Sequence, residues 1–550
     1  MTPIQKNAAQ TTEVIEVPSP AGRGLLQWDG KSHPAPVTAP PFQLCEVHTP
    51  PVPCGAPAES GTDPASLNRL YHGDNRDVLA HLLATGWGGT LRLIYIDPPF
   101  DSGLAYAGKL RTRGPHRRTL GQAVQYRDIW EGDAYLQFMY ERLLLLRPLL
   151  AADGVIWLHC DYRQAHRLQL ILEEVFGADN YLNTIAWRSQ VARGAKVNAF
   201  YFPNSTHFLH VFAKDRQADP CWQPPRKRLF FTRRQAAAQF MEDAGGFFRT
   251  SDPGSYSFAR LKELHAEGRL YAPFGGEICI DEANQTVRCS NGGNVGVKYY
   301  LTPEGKNRFS VERAVDNLWD DIPGLGTTPG EDVGYPTQKT EALLERVIAA
   351  SSAPGDWVLD CFTGSGTTPA VAQRLGRRWI ACDAGYGAIQ TTRRRLLANT
   401  ASASENTPGF GVYRPATPAT SAIPDTAESR PMQAELPALR VCVTEQGDLR
   451  RVEIRPIAPP ATDSNIADPN ITDWRAWIDA VEVDPCYDGN IFRPHAIDAP
   501  PKRTALIVGS YVVAQHAPGT ILAVRITYVT GHEATFQLAH ATGNADPIAL

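Results

Sequence analysis

Hydrophobic and polar positions form two kinds of segment that alternate along the chain from about residue 67 to 189. Short aliphatic and β-branched runs at 91–96 and 155–161 predict strands that are buried on both faces. Amphipathic stretches at 134–154 and 163–177, each closed by a glycine, predict helices that follow these strands. Alternation of strand and helix predicts an α/β fold with a mainly parallel sheet.

The alternation stops at about residue 190 and resumes at about 331. Between these positions, glycine and proline are scattered among basic clusters and aromatic residues, which indicates an inserted module. From there to residue 400, the pattern again reads helix, strand, glycine turn, helix and strand. The sequence therefore predicts one α/β domain in two halves, 66–189 and 331–400, which an insert at 190–330 separates.

The flanking segments have a different texture. Residues 1–65 are rich in proline, threonine and alanine without a sustained period, and they predict a disordered or extended arm. Residues 401–440 have the composition of a linker. Short alternating runs between glycine turns predict a small β-rich domain over 441–550.

Composition limits what the 550-residue chain can be. Its 43% hydrophobic content is typical of a soluble globular protein, and no signal-peptide pattern or bilayer-length apolar run is present, so we expect a cytoplasmic location. The cysteines predict reduced thiols, and the nearest metal-like spacing, Cys45, His48 and Cys54, lacks a fourth ligand, so no metal site is expected. The net charge of −4 excludes a wholly basic nucleic-acid coat but allows a local basic groove.

The residues Asp97-Pro98-Pro99-Phe100 directly follow the predicted strand at 91–96. Two prolines fix φ and remove two backbone donors, so the turn is rigid and presents carbonyl groups. A carboxylate, a carbonyl and an aromatic ring then lie at the carboxyl end of a parallel strand, where α/β sheets bind ligands. This set suits an exocyclic amine on a planar base, with Asp97 and the Pro98 carbonyl accepting its hydrogens and Phe100 stacking on the ring. A turn without function is the alternative.

A glycine turn at 363–368 also lies between a predicted strand and a predicted helix. Gly364 and Gly366 permit close approach of the backbone to a ligand at a helix N-terminus. The lysine of a phosphate-cradling loop is absent, which disfavours a nucleoside triphosphate. Asp360 precedes the turn and Asp383 ends the next strand, close to the spacing at which a carboxylate meets ribose hydroxyls. A ligand with a ribose and no pyrophosphate fits best.

In combination, DPPF, YPTQK at 335–339, DCFTGSGTT at 360–368 and RRWIACD at 377–383 resemble the amino-methyltransferases of DNA. The motif order is that of the subgroup whose catalytic motif precedes the cofactor motif, and the insert falls where that subgroup places its target-recognition region. The resemblance covers roughly 67–400 and is strongest to the modification subunits of Type III restriction systems and related solitary enzymes. It implies a circularly permuted, Rossmann-like fold that binds S-adenosylmethionine.

The resemblance also assigns roles to residues by their positions in the motifs. Residues 97–100 match the catalytic motif. The residues that match the cofactor site are Asp360, Phe362, Gly364, Gly366, Thr367, Thr368, Asp383, Thr337, Gln338 and Lys339. Among them, Asp383 matches the ribose-binding acid, and 337–339 match the segment that meets the methionine end. An acid at the head of the catalytic motif favours N6 of adenine over N4 of cytosine. The motif departs from the family at Phe100, where tyrosine is commonest.

The function implied is that of a site-specific DNA methyltransferase, which modifies N6 of an adenine flipped out of duplex DNA in a restriction-modification or related system. N4 of cytosine, an amino group in RNA or protein, and a DNA-binding scaffold subunit with a relic pocket are the alternatives. Besides double-stranded DNA, a restriction subunit and a second copy of the chain are candidate partners.

Two basic runs are candidates for contact with DNA phosphates. They contain Lys109, Arg111, Arg113, Arg117 and Arg118 before the insert, and Arg226, Lys227, Arg228, Arg233 and Arg234 within it. A charge run is also the usual composition of a solvated loop, so both interpretations stay open.

Overall fold

The structure is a computed structural model that describes residues 13–49, 64–191, 198, 200–400, 408–416, 436–447, 449–457, 473–500, 502–514 and 521–538. The chain divides into two compact units, one formed by residues 1–223 and 317–550 and the other by Pro224–Asp316. Within the described ranges, no helix is long and apolar enough to cross a membrane.

The helices and strands of the described residues have the following bounds. The helices are α1 (Asn75–Ala84), α2 (Ala134–Leu149), α3 (Ala165–Phe176), α4 (Arg233–Gln239), α5 (Phe258–Ala266), α6 (Glu341–Ser351), α7 (Thr367–Arg374) and α8 (Tyr386–Thr400). The strands before the second unit are β1 (Glu13–Ile15), β2 (Val37–Ala39), β3 (Phe42–His48), β4 (Asn68–His72), β5 (Leu91–Ile96), β6 (Leu104–Arg111), β7 (Thr119–Asp128), β8 (Leu150–Asp161), β9 (Tyr181–Arg188) and β10 (Thr206–Ala213). The strands of the second unit are β11 (Arg226–Thr232), β12 (Met241–Asp243), β13 (Gly246–Ser251), β14 (Leu270–Tyr271), β15 (Ile278–Asp281), β16 (Thr286–Cys289), β17 (Gly296–Tyr300), β18 (Thr302–Pro303) and β19 (Arg308–Ala314). The strands that follow are β20 (Leu318–Trp319), β21 (Trp357–Asp360), β22 (Arg378–Asp383), β23 (Phe410–Pro415), β24 (Leu439–Gln446), β25 (Leu449–Pro456), β26 (Ile478–Tyr487), β27 (Ala496–Asp498), β28 (Ser510–Ala514), β29 (Ile521–Tyr528) and β30 (Glu533–Leu538).

A ten-stranded sheet lies at the centre of the first unit, in the order β20-β9-β10-β8-β5-β21-β22-β4-β23-β3. The neighbouring strands β8, β5, β21, β22, β4 and β23 run parallel, whereas β10 and β3 run antiparallel to their neighbours. Apolar side chains of β5, β8, α1, α2 and α3 are buried together in one core. Burial on both faces explains why these strands are continuous hydrophobic runs. The predicted α/β, Rossmann-like fold is confirmed.

β5 and β21 are neighbours in the sheet, and the chain leaves them in opposite directions. After β5 it continues to β8 on one side, and after β21 it continues to β22 on the other side. Ligands of α/β sheets bind in the crevice at such a switch point, outside the carboxyl ends of the strands. Asp97 follows β5 and Asp360 ends β21, so the fold brings both sequence motifs to this crevice.

The predicted disordered or extended arm and the predicted linker both contribute strands. β3, from the predicted arm at 1–65, and β23, from the predicted linker at 401–440, pair antiparallel at the edge of the main sheet. Disorder at β3 and a free linker at β23 are therefore wrong, whereas an extended arm agrees with β3. β3 buries the polar residues Glu46 and His48, which conceals the alternation that marks a strand. Residues 1–12, 50–63, 401–407 and 417–435 of these segments lie outside the described residues.

The predicted β-rich region at the C-terminus is confirmed. It contains the sheets β24-β25-β28 and β27-β26-β29-β30. Val452, Ile478, Val481 and Val524 are fully buried in their common core.

The second unit is shorter than the predicted insert at 190–330. β10 and β20, which fall inside that range, belong to the main sheet of the first unit. The unit itself contains the sheets β11-β19-β18, β12-β13-β17-β14 and β15-β16 with α4 and α5. Phe247, Phe309 and Val311 lie in one of its cores.

Candidate active site

The catalytic turn at 97–100 is held in place by buried polar groups. The N–H groups of residues 100–102 donate to the Asp128 carboxylate at 2.9–3.1 Å. The Tyr135 hydroxyl donates to the Pro99 carbonyl at 2.7 Å. Asp128 is only 1% exposed, and it was not among the residues predicted from sequence. Its sequence signal is that it lies within the range 67–400 that resembles the modification subunits of Type III restriction systems.

Asp97 is mostly buried at the crevice between β5 and β21. Its Oδ2 lies 2.5 Å from Nζ of Lys339, whereas its Oδ1 is buried and accepts no hydrogen bond from a described residue. Burial raises the pKa of Asp97, and the Lys339 ammonium opposes that rise. One acceptor oxygen is therefore available for a donor on a ligand.

The predicted role of Lys339 at the methionine end implies that its ammonium faces the cofactor. In the structure the ammonium also contacts groups of the catalytic turn. Besides its contact with Asp97, Nζ donates to the Thr337 carbonyl at 3.1 Å and lies 5.1 Å from the centre of the Phe100 ring. The ammonium thus stands between a carboxylate and an aromatic ring, where the sequence predicts the target amine to bind.

The two residues before Lys339 have different tasks. Thr337 adopts a φ of +61° and its hydroxyl lies 2.9 Å from that of Tyr126. The Gln338 amide donates to the Glu331 carbonyl at 2.6 Å and accepts from the Val333 N–H at 3.0 Å. Gln338 therefore shapes the loop, while its side chain keeps little freedom to bind a ligand.

The glycine turn after β21 requires the absence of side chains. Gly364 and Gly366 have φ angles of +49° and +74°. A Cβ at Gly366 would lie 2.7–2.9 Å from atoms of Thr392, and one at Gly364 would lie 3.2 Å from the Tyr335 ring. Gly366 therefore packs α7 against α8 instead of lining the ligand cleft.

Two carboxylates border this turn. Asp360 accepts from the Thr368 hydroxyl at 2.5 Å and from the Phe362 N–H at 2.9 Å, and burial raises its pKa to about 7. Asp383 accepts from the Gly364 N–H at 2.9 Å, and burial also raises its pKa. Since burial penalises a negative charge, both acids are poised to gain from a cationic or hydroxyl-bearing ligand.

Two clefts of the first unit meet at the catalytic turn. The first has about 860 Å³ of empty space, and all the predicted catalytic and cofactor residues except Gly366 line it. The second has about 1380 Å³ and is lined by aromatic and polar groups that include Tyr162, Trp187 and His207. Phe100 and Lys339 line both clefts. A ligand in one cleft can therefore reach a ligand in the other at this point.

The first cleft fits S-adenosylmethionine. Asp97, Asp360 and Asp383 line it, which suits the cationic sulfonium and ammonium groups and the ribose hydroxyls. The hydroxyl oxygen of Thr363 is buried there and has no partner among the described residues. Polar groups without partners in a buried wall indicate a place for a polar ligand.

The structure places the first basic run partly inside the protein. Arg113 is 3% exposed, and its guanidinium donates to Asp479 at 2.7 Å and to the Lys502 and Ala505 carbonyls at 2.9 and 3.1 Å. The prediction that Arg113 contacts DNA is therefore wrong, because the β-rich region packs over it. The run also contains four exposed residues, Lys109, Arg111, Arg117 and Arg118.

The second basic run lies on the surface of the second unit. Arg228 pairs with Glu312 at 3.4 Å and Arg233 pairs with Glu242 at 2.7 Å. Exposed ion pairs contribute about 0–1 kcal/mol, so a phosphate can compete for these guanidinium groups. The other members are Arg226 and Arg234, which are exposed, and Lys227, which is half-buried.

Residues 91–394 match the family model described as DNA methylase. The chain belongs to this DNA methylase family. The match spans the catalytic turn, the second unit and the glycine turn, and it confirms the resemblance found in the sequence. S-adenosylmethionine as the cofactor agrees with both the family and the cleft.

Three curated relatives are similar to parts of this DNA methylase. The Type II methyltransferase M.EcaI of Enterobacter cloacae is 26% identical over 347 residues, which cover 60% of this chain and 69% of that protein. The probable type III HindVI Mod subunit of Haemophilus influenzae is 26% identical over 390 residues, covering 59% of this chain and 48% of that subunit. The DNA adenine methyltransferase YhdJ of Escherichia coli is 44% identical over 98 residues, covering 18% of this chain and 33% of YhdJ.

Proposed function

We propose that the protein transfers a methyl group from S-adenosylmethionine to N6 of an adenine that is flipped out of double-stranded DNA. The observation that carries this proposal is the buried Asp97 Oδ1, an acceptor without a partner among the described residues. Asp97 lines the first cleft close to Phe100, which lines both clefts. An amine bound there satisfies the oxygen, while its nitrogen faces the cleft that fits the cofactor.

The chain's own groups account for how the amine is held. Asp97 accepts a hydrogen of the amine, and its carboxylate stabilises the positive charge that develops on the nitrogen. Phe100 supplies a face on which the base stacks, a contact typically worth about 1–3 kcal/mol. The base enters by displacing the Lys339 ammonium from its position over Phe100. When bound, the cofactor supplies an electrophilic methyl group on sulfur, so no metal is needed for the transfer.

Adenine is favoured over cytosine as the target. The catalytic motif begins with an acid, and the chain resembles the adenine methyltransferase YhdJ over 98 residues. The similarity to a Type II methyltransferase and a Mod subunit supports a role in DNA modification, with a restriction subunit as a candidate partner. Since the substrate is DNA, we place the enzyme in the cytoplasm.

The test compares Asp97→Ala with the control Asp219→Asn. Asp219 is exposed with a φ of +55°, a conformation that asparagine tolerates. Each protein receives radiolabelled S-adenosylmethionine with genomic DNA, RNA or a protein lysate, and the modified nucleosides are identified by mass spectrometry. We expect N6-methyladenine from the wild type and the control, and none from Asp97→Ala, which still binds the cofactor in calorimetry.

Transfer to RNA or protein alone, or N4-methylcytosine as the product, would contradict the proposal. Activity of Asp97→Ala at nearly the wild-type rate would exclude Asp97 from catalysis. Failure of the wild type to bind S-adenosylmethionine would instead support a scaffold subunit.

A further inference from the structure

A chain of hydrogen bonds leads from beneath the catalytic turn to the wall of the second cleft. The Tyr95 hydroxyl lies 2.9 Å from Nδ1 of His159, and Nε2 of His159 lies 2.9 Å from Nδ1 of His207. Tyr95 and His159 are fully buried on β5 and β8, and His207 lies on β10. His207 lines the second cleft beside Phe100, and the two ring centres are 5.5 Å apart.

Both imidazoles in this chain are neutral. Burial lowers the pKa of His159 well below its usual range and lowers that of His207 to about 3, and the Lys339 ammonium adds to both effects. A neutral imidazole carries one N–H and one acceptor nitrogen. The position of the proton on one ring therefore sets its position on the next.

The Tyr95 hydroxyl proton decides the direction of the chain. If Tyr95 donates to His159 Nδ1, then His159 donates from Nε2 to His207 Nδ1, and His207 carries its proton on Nε2. In the opposite direction the Tyr95 proton has no acceptor among the described residues, which costs about 1–3 kcal/mol. Asp97 Oδ1 is 3.6 Å from His159 Nδ1, beyond hydrogen-bond distance, and the carboxylate is already paired with Lys339.

His207 Nε2–H is consequently a donor that the protein itself does not use. Within the described ranges, the hydrogen bonds of this ring involve Nδ1 alone. The His207 ring is half-buried and lines the wall of the second cleft. Phe100 lines the same cleft, so a base stacked on Phe100 would lie beside the His207 ring.

We propose that His207 recognises the flipped base by donating from Nε2–H to the ring nitrogen beside the target amine, which is N1 in adenine. Tyr95 and His159 are positioning residues that fix the His207 tautomer. This inference rests on the proposed function and assigns a specificity residue to the same site. In adenine an acceptor nitrogen adjoins the amine, whereas guanine and thymine carry N–H at the corresponding ring position and are rejected.

The test pairs a protein change with a change in the base. His207→Phe keeps an aromatic ring but removes the donor, and 1-deazaadenine keeps the amine but removes the N1 acceptor. Single-turnover methylation is measured on duplexes that carry adenine, 1-deazaadenine or 7-deazaadenine at a site mapped by sequencing of modified genomic DNA. The 7-deaza base is the control because it retains N1.

We expect His207→Phe to lower the rate about 5- to 100-fold on adenine and 7-deazaadenine, and to leave the rate on 1-deazaadenine nearly unchanged. Tyr95→Phe should lower the same two rates by a smaller factor, because His159 then loses the donor that sets its tautomer. The S-adenosylmethionine affinity of His207→Phe should equal that of the wild type, because His207 does not line the first cleft. The unfolding midpoints of both variants should fall modestly, because each variant leaves one buried nitrogen of His159 without its partner.

An equal loss on all three bases would overturn the recognition of N1, since a general packing defect does not depend on the base. Equal rates of wild type and His207→Phe on adenine would also overturn it. If the wild type methylates adenine in DNA, either result leaves the proposed function intact. Absence of methylation on every duplex would overturn both.

Discussion

The buried carboxyl of Asp360 should make cofactor binding depend on pH. Burial raises its pKa from 3.8 to about 7, which corresponds to about 4 kcal/mol of disfavoured charge. The Thr368 hydroxyl and the Phe362 N–H donate to the ionised form. A cationic ligand in the same cleft adds a further interaction that only the carboxylate makes, so affinity should rise with pH through 7.

The size of the effect follows from that pKa. The ionised fraction of Asp360 rises from about 3% at pH 5.5 to about 75% at pH 7.5, so the affinity for S-adenosylmethionine should rise about 25-fold if only the ionised form binds it well. The ligand's own amine remains mostly protonated over this range because a typical α-amino group titrates near 8.

Calorimetric titration at four or five pH values measures this dependence. Asp360→Asn removes the carboxyl whose pKa lies at about 7, so we expect its affinity to be weak at pH 7.5 and to change much less with pH down to pH 5.5. Asp219→Asn serves as the matched control and should follow the wild type. A flat wild-type profile, or an unchanged slope in Asp360→Asn, would refute the reasoning.

Three further predictions concern the amine site and stability. Lys339→Met removes the cation that opposes the rise of the Asp97 pKa, so the acidic limb of the methylation rate should move to higher pH; an unmoved limb in single-turnover assays would contradict this. Phe100→Leu should lower kcat/KM for DNA about tenfold or more through lost stacking, whereas Phe100→Tyr should retain most of it, and equal losses would argue against stacking. Asp479→Asn should lower the free energy of unfolding by about 2 kcal/mol at pH 7, because Arg394 and Arg113 lower the pKa of Asp479 to about 2 in the folded state. That stabilisation is present above the unfolded pKa near 4 and is lost as pH falls toward 2, so urea titrations of the two proteins should converge there.

Local sequence patterns determined the fold class and the two motifs of the site. Strands that are buried on both faces are continuous apolar runs. Such runs occur in both halves of the α/β domain, at 91–96 and 357–360. The chemistry of the turn at 97–100 depends on residue types that are adjacent in the chain, and so does that of the glycine turn. Such information is local, and periodicity and composition are enough to find it.

Only the tertiary structure decided which partners the polar groups have. The sequence does not distinguish a basic residue that faces solvent from one that, like Arg113, pairs with a buried carboxylate. Lys339 meets Asp97 and His207 meets His159 because separate strands and loops converge at one edge of the sheet. β3 likewise becomes a strand only by pairing with β23, far away in sequence. These contacts join distant parts of the chain, and their free energy depends on burial and proximity that no local pattern encodes.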